Sequence, residues 1–141
     1  MYINEVKSQD QALAHLFFHC CLKDGQFDDS EMNDVSAKLV ELGLYKQLDF
    51  KAEVLKYRNY KDSINDETSY LEFLIKTITP VNNYALYSYC AELVLSDSNF
   101  DLAEEALLKK LAFILAISDA EQNVIQKLYA QRKVVMAEHL I

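Results

Sequence analysis

The sequence contains few of the residues that usually interrupt regular structure. Its 141 residues include two glycines and one proline, and no tryptophan. An all-β fold needs many tight turns, and glycine and proline supply most of them, so this scarcity disfavours an all-β fold. Strong helix formers such as leucine, alanine, glutamate and lysine are plentiful. The composition therefore predicts an all-α protein.

Cysteines and long apolar runs are also scarce. Cys20, Cys21 and Cys90 are odd in number and two of them are adjacent, so their spacing does not indicate a disulfide framework. We interpret them as buried thiols in a reducing compartment. No apolar run reaches the ~18 residues that a membrane span needs, and the polar start MYINEVKSQDQ is unlike a signal peptide. We therefore expect a cytoplasmic protein with no membrane span.

Positive charge is the third shortage. Lysine and arginine number 14 against 22 aspartates and glutamates, which gives a formal net charge of −8. An acidic surface repels phosphate backbones, so we do not expect nucleic acid as a partner. Basic protein surfaces and metal ions are electrostatically suitable partners. The length and the 51% hydrophobic content fit one domain over residues 1–141 with a proper core.

Helical periodicity covers nearly the whole chain. Apolar residues recur at spacings of three and four, as on one face of a helix. The pattern predicts seven helices, near residues 9–23, 28–43, 50–61, 66–78, 80–96, 101–116 and 119–138. The sixth is apolar on most sides, so we expect it to be the buried centre of the domain.

Four local signals set the helix boundaries. Gly43 is a suitable stop for the second helix, and Asp49 a suitable cap for the third. Thr79 followed by Pro80 is typical of a helix start, which places the start of the fifth helix at residue 80. The stretch Ser118 to Glu121 has the pattern of a capping box, which opens the seventh helix.

An acidic turn occurs twice in the chain. KDGQFDDSE spans residues 23–31, and SDSNFDLAE follows 73 positions later, over residues 96–104. The identical pairs are Asp24 with Asp97, Phe27 with Phe100, Asp28 with Asp101, and Glu31 with Glu104. Each turn follows an apolar helix and precedes another helix. The sequence thus predicts a helical bundle made of two similar helix-turn-helix halves.

Helix capping explains part of this turn. Asp28 and Asp101 are good N-cap residues, and Glu31 and Glu104 stand three places later, where a capping-box carboxylate reaches back to the cap. In this interpretation each cap contributes about 1 kcal/mol and no ligand is bound.

Asp24 and Asp97 are less well explained by capping. Each stands at the C-terminal end of a helix, where the helix dipole disfavours negative charge. Together with Asp28 and Glu31, Asp24 crowds carboxylates into one short turn. A divalent cation would relieve that repulsion, because hard cations bind oxygen ligands. The sequence therefore leaves two hypotheses, a cap alone or a cap combined with a cation site.

An EF-hand is excluded by the second copy of the turn. DSNFD begins as that calcium loop does, with oxygen-bearing side chains at alternate positions. Leu102 then stands where the loop needs glycine, and Leu108 stands where it needs glutamate. Only a shorter oxygen-ligand site stays open.

Two further patterns are weaker. His15 and His19 are four residues apart, a spacing that can hold zinc, but the glutamate of the H-E-x-x-H motif is absent, and we interpret the pair as incidental. Tyr84, Tyr87 and Tyr89 cluster at the start of the fifth helix. Packing explains them adequately, with a partner-binding face as the alternative.

The motif D-G-x-F-x-x-x-E between an apolar and an amphipathic helix resembles the TerB-like family, named for tellurite resistance. That family is an all-helical domain with two helix-turn-helix units, and the likeness covers most of the chain. The domain is also similar to the N-terminal part of some membrane-anchored DnaJ-like co-chaperones. The second turn departs from the pattern, because Ser98 stands where the family has glycine.

The resemblance implies that carboxylates of the two turns bind a divalent cation, such as calcium, magnesium or manganese. Carried over by position, the candidate ligands are Asp24, Asp28, Glu31, Asp97, Asp101 and Glu104. It also implies a non-enzymatic interaction or stress-response module with a protein partner in a membrane-associated assembly. The alternatives are a metal-dependent hydrolase, if the four aspartates converge in a pocket, and a purely structural helical domain without metal.

Overall fold

The computed structural model describes residues 1–22, 29–44, 48–95 and 102–137, with side chains at 1–21, 32–44, 48–95 and 102–131. The helices of this part are α1 (Tyr2–Glu5), α2 (Gln9–Leu22), α3 (Asp29–Glu41), α4 (Phe50–Tyr60), α5 (Glu67–Ile78), α6 (Asn83–Leu95), α7 (Leu102–Leu115) and α8 (Asp119–Ala137), with a 3₁₀ turn at Lys61–Ser63. The all-α prediction is confirmed. The seven predicted helices are present, and α1 is an addition that the periodicity did not reveal. No helix in the described ranges is long and apolar enough to cross a membrane.

The chain forms two compact units, residues 1–81 and residues 82–141. In the first unit, α2 packs against α3, α4 and α5, and α1 packs against α4. In the second unit, α6 packs against α7 and α8. Each unit therefore has its leading long helix in contact with the two helices that follow. The single domain predicted over 1–141 stays a prediction.

Helix α2 is the buried centre of the first unit. Its buried side chains are Ala12, Ala14, His15, Leu16, Phe17, Phe18, His19 and Cys20. A helix that contacts three others has little surface left for solvent, so apolar residues occupy most of its circumference. The two histidines within this apolar surface are the exception, and they define the site described below.

The expectation that the helix near residues 101–116 is the buried centre of the domain is wrong, because α7 is buried on one face only. Leu107, Leu111 and Leu115 of α7 are buried, but Phe113 is 85% exposed and Leu102 is 82% exposed. The apolar residues of α7 therefore extend beyond the single face that the helix buries. Composition alone does not distinguish such a helix from a central one.

Helix α3 ends in a Schellman motif, which confirms Gly43 as its stop. Gly43 has a φ of +76°, the left-handed region that glycine adopts without steric penalty. Its N–H donates to the carbonyl of Val40 at 3.0 Å, and the N–H of Leu44 donates to the carbonyl of Leu39 at 2.9 Å. These two bonds satisfy carbonyl groups that the helix end leaves open.

Helix α7 ends in the same motif without a glycine. Ala116 has a φ of +58°. Its N–H donates to Phe113 at 3.2 Å, and the N–H of Ile117 donates to Ala112 at 2.8 Å. Ala116 lies 73 positions after Gly43, the same interval that separates the two acidic turns. The predicted internal repeat therefore extends through the whole helix after each turn, from its first residue to its C-terminal motif.

Two predicted helix starts are confirmed. The side chain of Asp49 accepts a hydrogen bond from the Ala52 N–H at 3.2 Å. Ser118 and Glu121 form a reciprocal capping box. The Glu121 N–H donates to Ser118 Oγ at 3.1 Å, and the Ser118 N–H donates to Glu121 Oε1 at 3.2 Å.

The predicted helix start at Thr79 and Pro80 is wrong. Thr79 is the C-terminal cap of α5, with a left-handed φ of +49° and its N–H bonded to the Ile75 carbonyl. Helix α6 begins at Asn83, and the side chain of Asn82 accepts from the Ala85 N–H at 2.9 Å. Asparagine is at least as good a cap as threonine, and the helix starts from Asn82, three residues after Thr79.

Candidate functional site: the acidic turns and a buried histidine network

The predicted metal ligands fall mostly beyond the described ranges. Asp24, Asp28, Asp97 and Asp101 lie outside the described residues. Glu31 is in the first turn of α3, but its side chain is not among those described. Glu104 is in the first turn of α7 and is 5% exposed. The metal site, and the convergence of aspartates that would favour a hydrolase, therefore stay predictions.

Glu104 is more deeply buried than capping requires. A capping-box glutamate only has to reach the first amide of its helix, which an exposed side chain can do. Burying a carboxylate costs several kcal/mol unless donors or positive charge compensate it. The N-terminal dipole of α7 supplies part of that compensation. Glu104 thus has the chemistry of an inward-facing oxygen ligand for a hard cation.

The described side chains do not complete such a site by themselves. Among them, no group of three or more histidine, cysteine, aspartate or glutamate residues is arranged to hold a metal ion. Any site of three or more such ligands that includes Glu104 therefore needs side chains outside the described ones. The predicted ligand set stays a prediction.

A second group of polar side chains lies inside the first unit. His15 on α2 is fully buried and both of its ring nitrogens have partners. Nδ1 lies 2.6 Å from the Tyr60 hydroxyl, and Nε2 lies 2.8 Å from Glu53 Oε1. The Tyr60 hydroxyl lies a further 2.6 Å from the Tyr70 hydroxyl. Helices α2, α4 and α5 are therefore joined by a continuous buried chain of hydrogen bonds.

His19 repeats this arrangement one helical turn later. Its Nδ1 lies 2.7 Å from the Tyr57 hydroxyl, and its Nε2 lies 2.8 Å from Glu67 Oε2. Each histidine therefore connects a tyrosine of α4 with a carboxylate, from α4 for His15 and from α5 for His19. Both rings are held at both nitrogens, a structural role that the spacing of the pair did not indicate. The zinc alternative is disfavoured, because a metal would have to displace one of these hydrogen bonds from each ring.

The direction of the protons around His15 follows from the charge on Glu53. Burial raises the pKa of Glu53, but hydrogen bonds from His15, Gln11 and Lys56 outweigh it, so the pKa is lowered and the carboxylate is ionised at neutral pH. Burial lowers the pKa of His15 more than the neighbouring Glu53 raises it, so the ring is neutral. We assign the ring proton to Nε2, which donates to Glu53.

The same assignment fixes the direction in which the Tyr60 and Tyr70 hydroxyl groups donate. With its proton on Nε2, His15 accepts at Nδ1, so Tyr60 donates to it and Tyr70 donates to Tyr60. Burial raises the pKa of both tyrosines, which keeps their hydroxyls neutral. Donation therefore runs from Tyr70 through Tyr60 and His15 to Glu53, and every proton has an acceptor. Neither ring nitrogen of His15 is available to a molecule outside the protein.

Each unit has a surface pocket among its described residues. The first has a volume of about 270 Å³ and lies between α1 and the α4 end, lined by Glu5, Lys56, Asn59, Tyr60 and Ser63 together with Met1. The second has a volume of about 380 Å³ and lies between α7 and α8, with Glu105, Lys109, Asp119 and Gln126 among its lining residues. Neither pocket is lined by a predicted metal ligand.

Comparison with known proteins gives one family. The family model for tellurite resistance protein TerB matches residues 10–127, which takes in both acidic turns and the helices around them. No curated protein and no solved structure matches the chain. The similarity to DnaJ-like co-chaperones stays a prediction.

Proposed function

Since the chain belongs to the tellurite resistance protein TerB family, we propose that it is a non-enzymatic interaction module whose acidic turns bind a divalent cation. The observation that carries this proposal is Glu104. It is a carboxylate of the repeated motif, it lies in the first turn of α7, and it is 5% exposed. A cap alone gives no reason to bury that group.

The repeat supports extending the proposal to the first turn. Helices α3 and α7 follow the two turns, begin 73 positions apart and end in the same backbone motif. Glu31 occupies in α3 the place that Glu104 occupies in α7. Asp24, Asp28, Asp97 and Asp101 would supply the remaining oxygen ligands, and calcium, magnesium and manganese all bind such sets.

The interior of the first unit supports an interaction module over an enzyme. His15 and His19 are each held between a tyrosine and a carboxylate. A general base must be able to reach the proton it removes from a substrate. These imidazoles instead join α2 to α4 and α5, which is a structural use of titratable groups.

The chemistry of the partner follows from charge. The net charge of −8 favours a basic protein surface, and a bound cation would add local positive charge at the turns. We further propose that the module acts in a stress response and that its assembly is associated with a membrane through a partner protein.

A pull-down from the native cell tests the interaction. The bait is the full chain, used with millimolar manganese or with a chelator, and compared with the double variant Asp24→Asn/Asp97→Asn. We expect a partner that is retained with manganese and reduced with chelator or with the variant. A charge-matched control, Asp10→Asn/Asp62→Asn, removes two carboxylates outside the turns and should retain the partner.

Two results would contradict the proposal. One is a retained partner whose recovery is unchanged by chelator and by the turn variant, since the cation would then have no part in binding. The other is manganese-dependent hydrolysis of phosphate or ester substrates that the turn variant abolishes, since the chain would then be an enzyme.

A further inference from the structure

We propose that α1 is an acid-sensitive lid over the buried hydrogen-bond chain of His15, Tyr60 and Tyr70. Protonation of His15 reverses the order of donors in that chain and leaves one hydroxyl proton without an acceptor. Helix α1 then moves away from the Tyr60 and Tyr70 rings, and water accepts a hydrogen bond from the unsatisfied hydroxyl. None of the residues in this device belongs to the acidic turns, and it does not depend on cation binding.

Counting protons shows why the direction of hydrogen-bond donation between His15 and Tyr60 must reverse. Neutral His15 accepts from Tyr60 at Nδ1, while Tyr60 accepts from Tyr70, over distances of 2.6 Å each. When a second proton binds His15, Nδ1 becomes a donor and Tyr60 must accept from it. The two hydroxyls then have two protons and only one hydroxyl-to-hydroxyl bond between them. The hydrogen bonds of the two hydroxyls among the described residues are these two alone, so one proton is stranded.

Helix α1 covers the place where the stranded proton arises. The ring of Tyr2 lies 4.8 Å from that of Tyr70 and 6.1 Å from that of Tyr60, with Phe73 also in contact at 5.3 Å. The pocket of about 270 Å³ lies beside these rings, with Glu5 of α1 and Tyr60 both on its wall. Movement of α1 would therefore open the hydroxyl pair to solvent.

The energetics favour movement of α1 over a buried unsatisfied donor. A buried donor left without an acceptor costs about 1–3 kcal/mol. Helix α1 has four residues, none of them buried, and its side-chain anchor is the half-buried ring of Tyr2. Such an element opens at low cost compared with the α2 core that holds His15.

The neighbouring charges leave His15 as the group that titrates. Glu53 on α4 accepts the Nε2 proton, and hydrogen bonds keep the pKa of that carboxyl low, so it stays ionised as His15 gains a proton. Glu5 on α1 also attracts a proton to His15, and Lys56 on α4 opposes it. The remaining titratable groups around the ring are Tyr57 and Tyr60 on α4 and, through Tyr60, Tyr70 on α5.

Hydrogen exchange of the full chain tests the lid. The amide protons of Asn4 and Val6 are bonded inside α1, to Met1 and Tyr2. Between pH 7 and pH 5 we expect their exchange, corrected for the intrinsic pH effect, to accelerate by roughly tenfold or more. The amides of α2 should stay far better protected than those of α1 at every pH, because they exchange only when the core unfolds. No acceleration in α1, or α2 protection that falls to the level of α1, would overturn the proposal.

Two variants assign the effect to one histidine. His15→Gln removes the titrating group, so its α1 exchange should not change with pH. His19→Gln alters the matching ring one turn later, whose nitrogens bond Tyr57 and Glu67 and not the hydroxyls of Tyr60 and Tyr70. Because the donor order around Tyr60 and Tyr70 is kept, α1 of this variant should respond as in the native chain. A pH response that survives in His15→Gln would overturn the proposal.

A measurement on the native chain covers the case in which a variant fails to fold. Histidine ring resonances and the backbone resonances of α1 can be followed in one NMR pH titration. If α1 is the lid, its backbone resonances should titrate with the same midpoint pH as the His15 ring resonances. A midpoint that differs from that of His15, or α1 signals that do not move, would contradict it.

Discussion

Tyr60 links two buried polar groups through one oxygen. Its hydroxyl contacts His15 Nδ1 and the Tyr70 hydroxyl, each at 2.6 Å. The substitution Tyr60→Phe keeps the ring and removes that oxygen, so both neighbours lose a partner inside the core. We expect the free energy of unfolding to fall by about 2–3 kcal/mol, measured by urea denaturation. Tyr84→Phe, at a tyrosine that is 39% exposed, should change it by less than about 0.5 kcal/mol. A similarly small effect of Tyr60→Phe would show that the hydrogen bonds linking His15, Tyr60 and Tyr70 contribute little to stability.

The two ends of the repeat predict opposite effects of exchanging glycine and alanine. Ala116 has a left-handed φ, which costs a residue with a Cβ about 1 kcal/mol, so Ala116→Gly should raise the free energy of unfolding by roughly 0.5–1 kcal/mol. At Gly43, also left-handed, Gly43→Ala should lower it by about 1 kcal/mol. A Cβ at Gly43 would meet no atom within 4 Å, so the backbone alone accounts for that loss. If denaturation experiments find that Ala116→Gly and Gly43→Ala change the free energy of unfolding in the same direction, the two helix ends do not share the motif.

At the scale of helices, the capping box of α8 gives a direct test of a boundary that the sequence predicted. Ser118→Ala leaves the Glu121 N–H without its side-chain acceptor, so we expect a loss of about 1 kcal/mol in the free energy of unfolding. Ser118→Asp keeps an oxygen acceptor at the cap and should stay within a few tenths of the native value. If both variants lose the same amount, capping is not the reason for the helix start.

Helix existence could be predicted from the sequence, because periodicity and caps are local. Gly43, Asp49 and the Ser118 capping box each act within one turn of the chain, and the structure has them where the sequence indicates. Thr79 failed as a start because Asn82, three residues later, is an equally good cap. Ala116 gave no signal because alanine is not a typical stop residue.

The buried network could not be predicted, since it depends on which helices meet. His15 and His19 were visible as a pair, but their partners come from α4 and α5, far along the chain. A signal did exist on α4, where Glu53, Tyr57 and Tyr60 recur at spacings of four and three and so share the face of a buried helix. A carboxylate on such a face needs a partner from another helix, and a buried histidine is the natural candidate.

At the scale of the whole molecule, the buried histidine makes stability depend on pH. An unfolded histidine has a pKa of about 6.5, and burial lowers the pKa of His15 below that in the folded chain. Below pH 6.5 the unfolded chain therefore binds more protons than the folded chain. The stability that His15 contributes is complete above pH 6.5 and is lost as the pH falls toward the folded pKa.

We expect the free energy of unfolding to decrease between pH 7.5 and 5.5, with a limiting slope of about 1.4 kcal/mol per pH unit for one proton. Urea denaturation across this range measures it. His15→Gln should show a shallower slope than the native chain, because the group responsible has been removed. A native stability that rises on acidification, or identical slopes for the two proteins, would contradict this explanation.

The central claim is that the two acidic turns bind a divalent cation, and thermal unfolding of the full chain at low salt tests it most directly. A cation that binds the folded chain raises the melting temperature, and a concentration of about 100 times Kd stabilises by ~2.7 kcal/mol. We predict a clear rise with millimolar calcium, magnesium or manganese, its loss in Asp24→Asn/Asp97→Asn, and its retention in Asp10→Asn/Asp62→Asn. An unchanged melting temperature of the native chain with all three cations would contradict the claim.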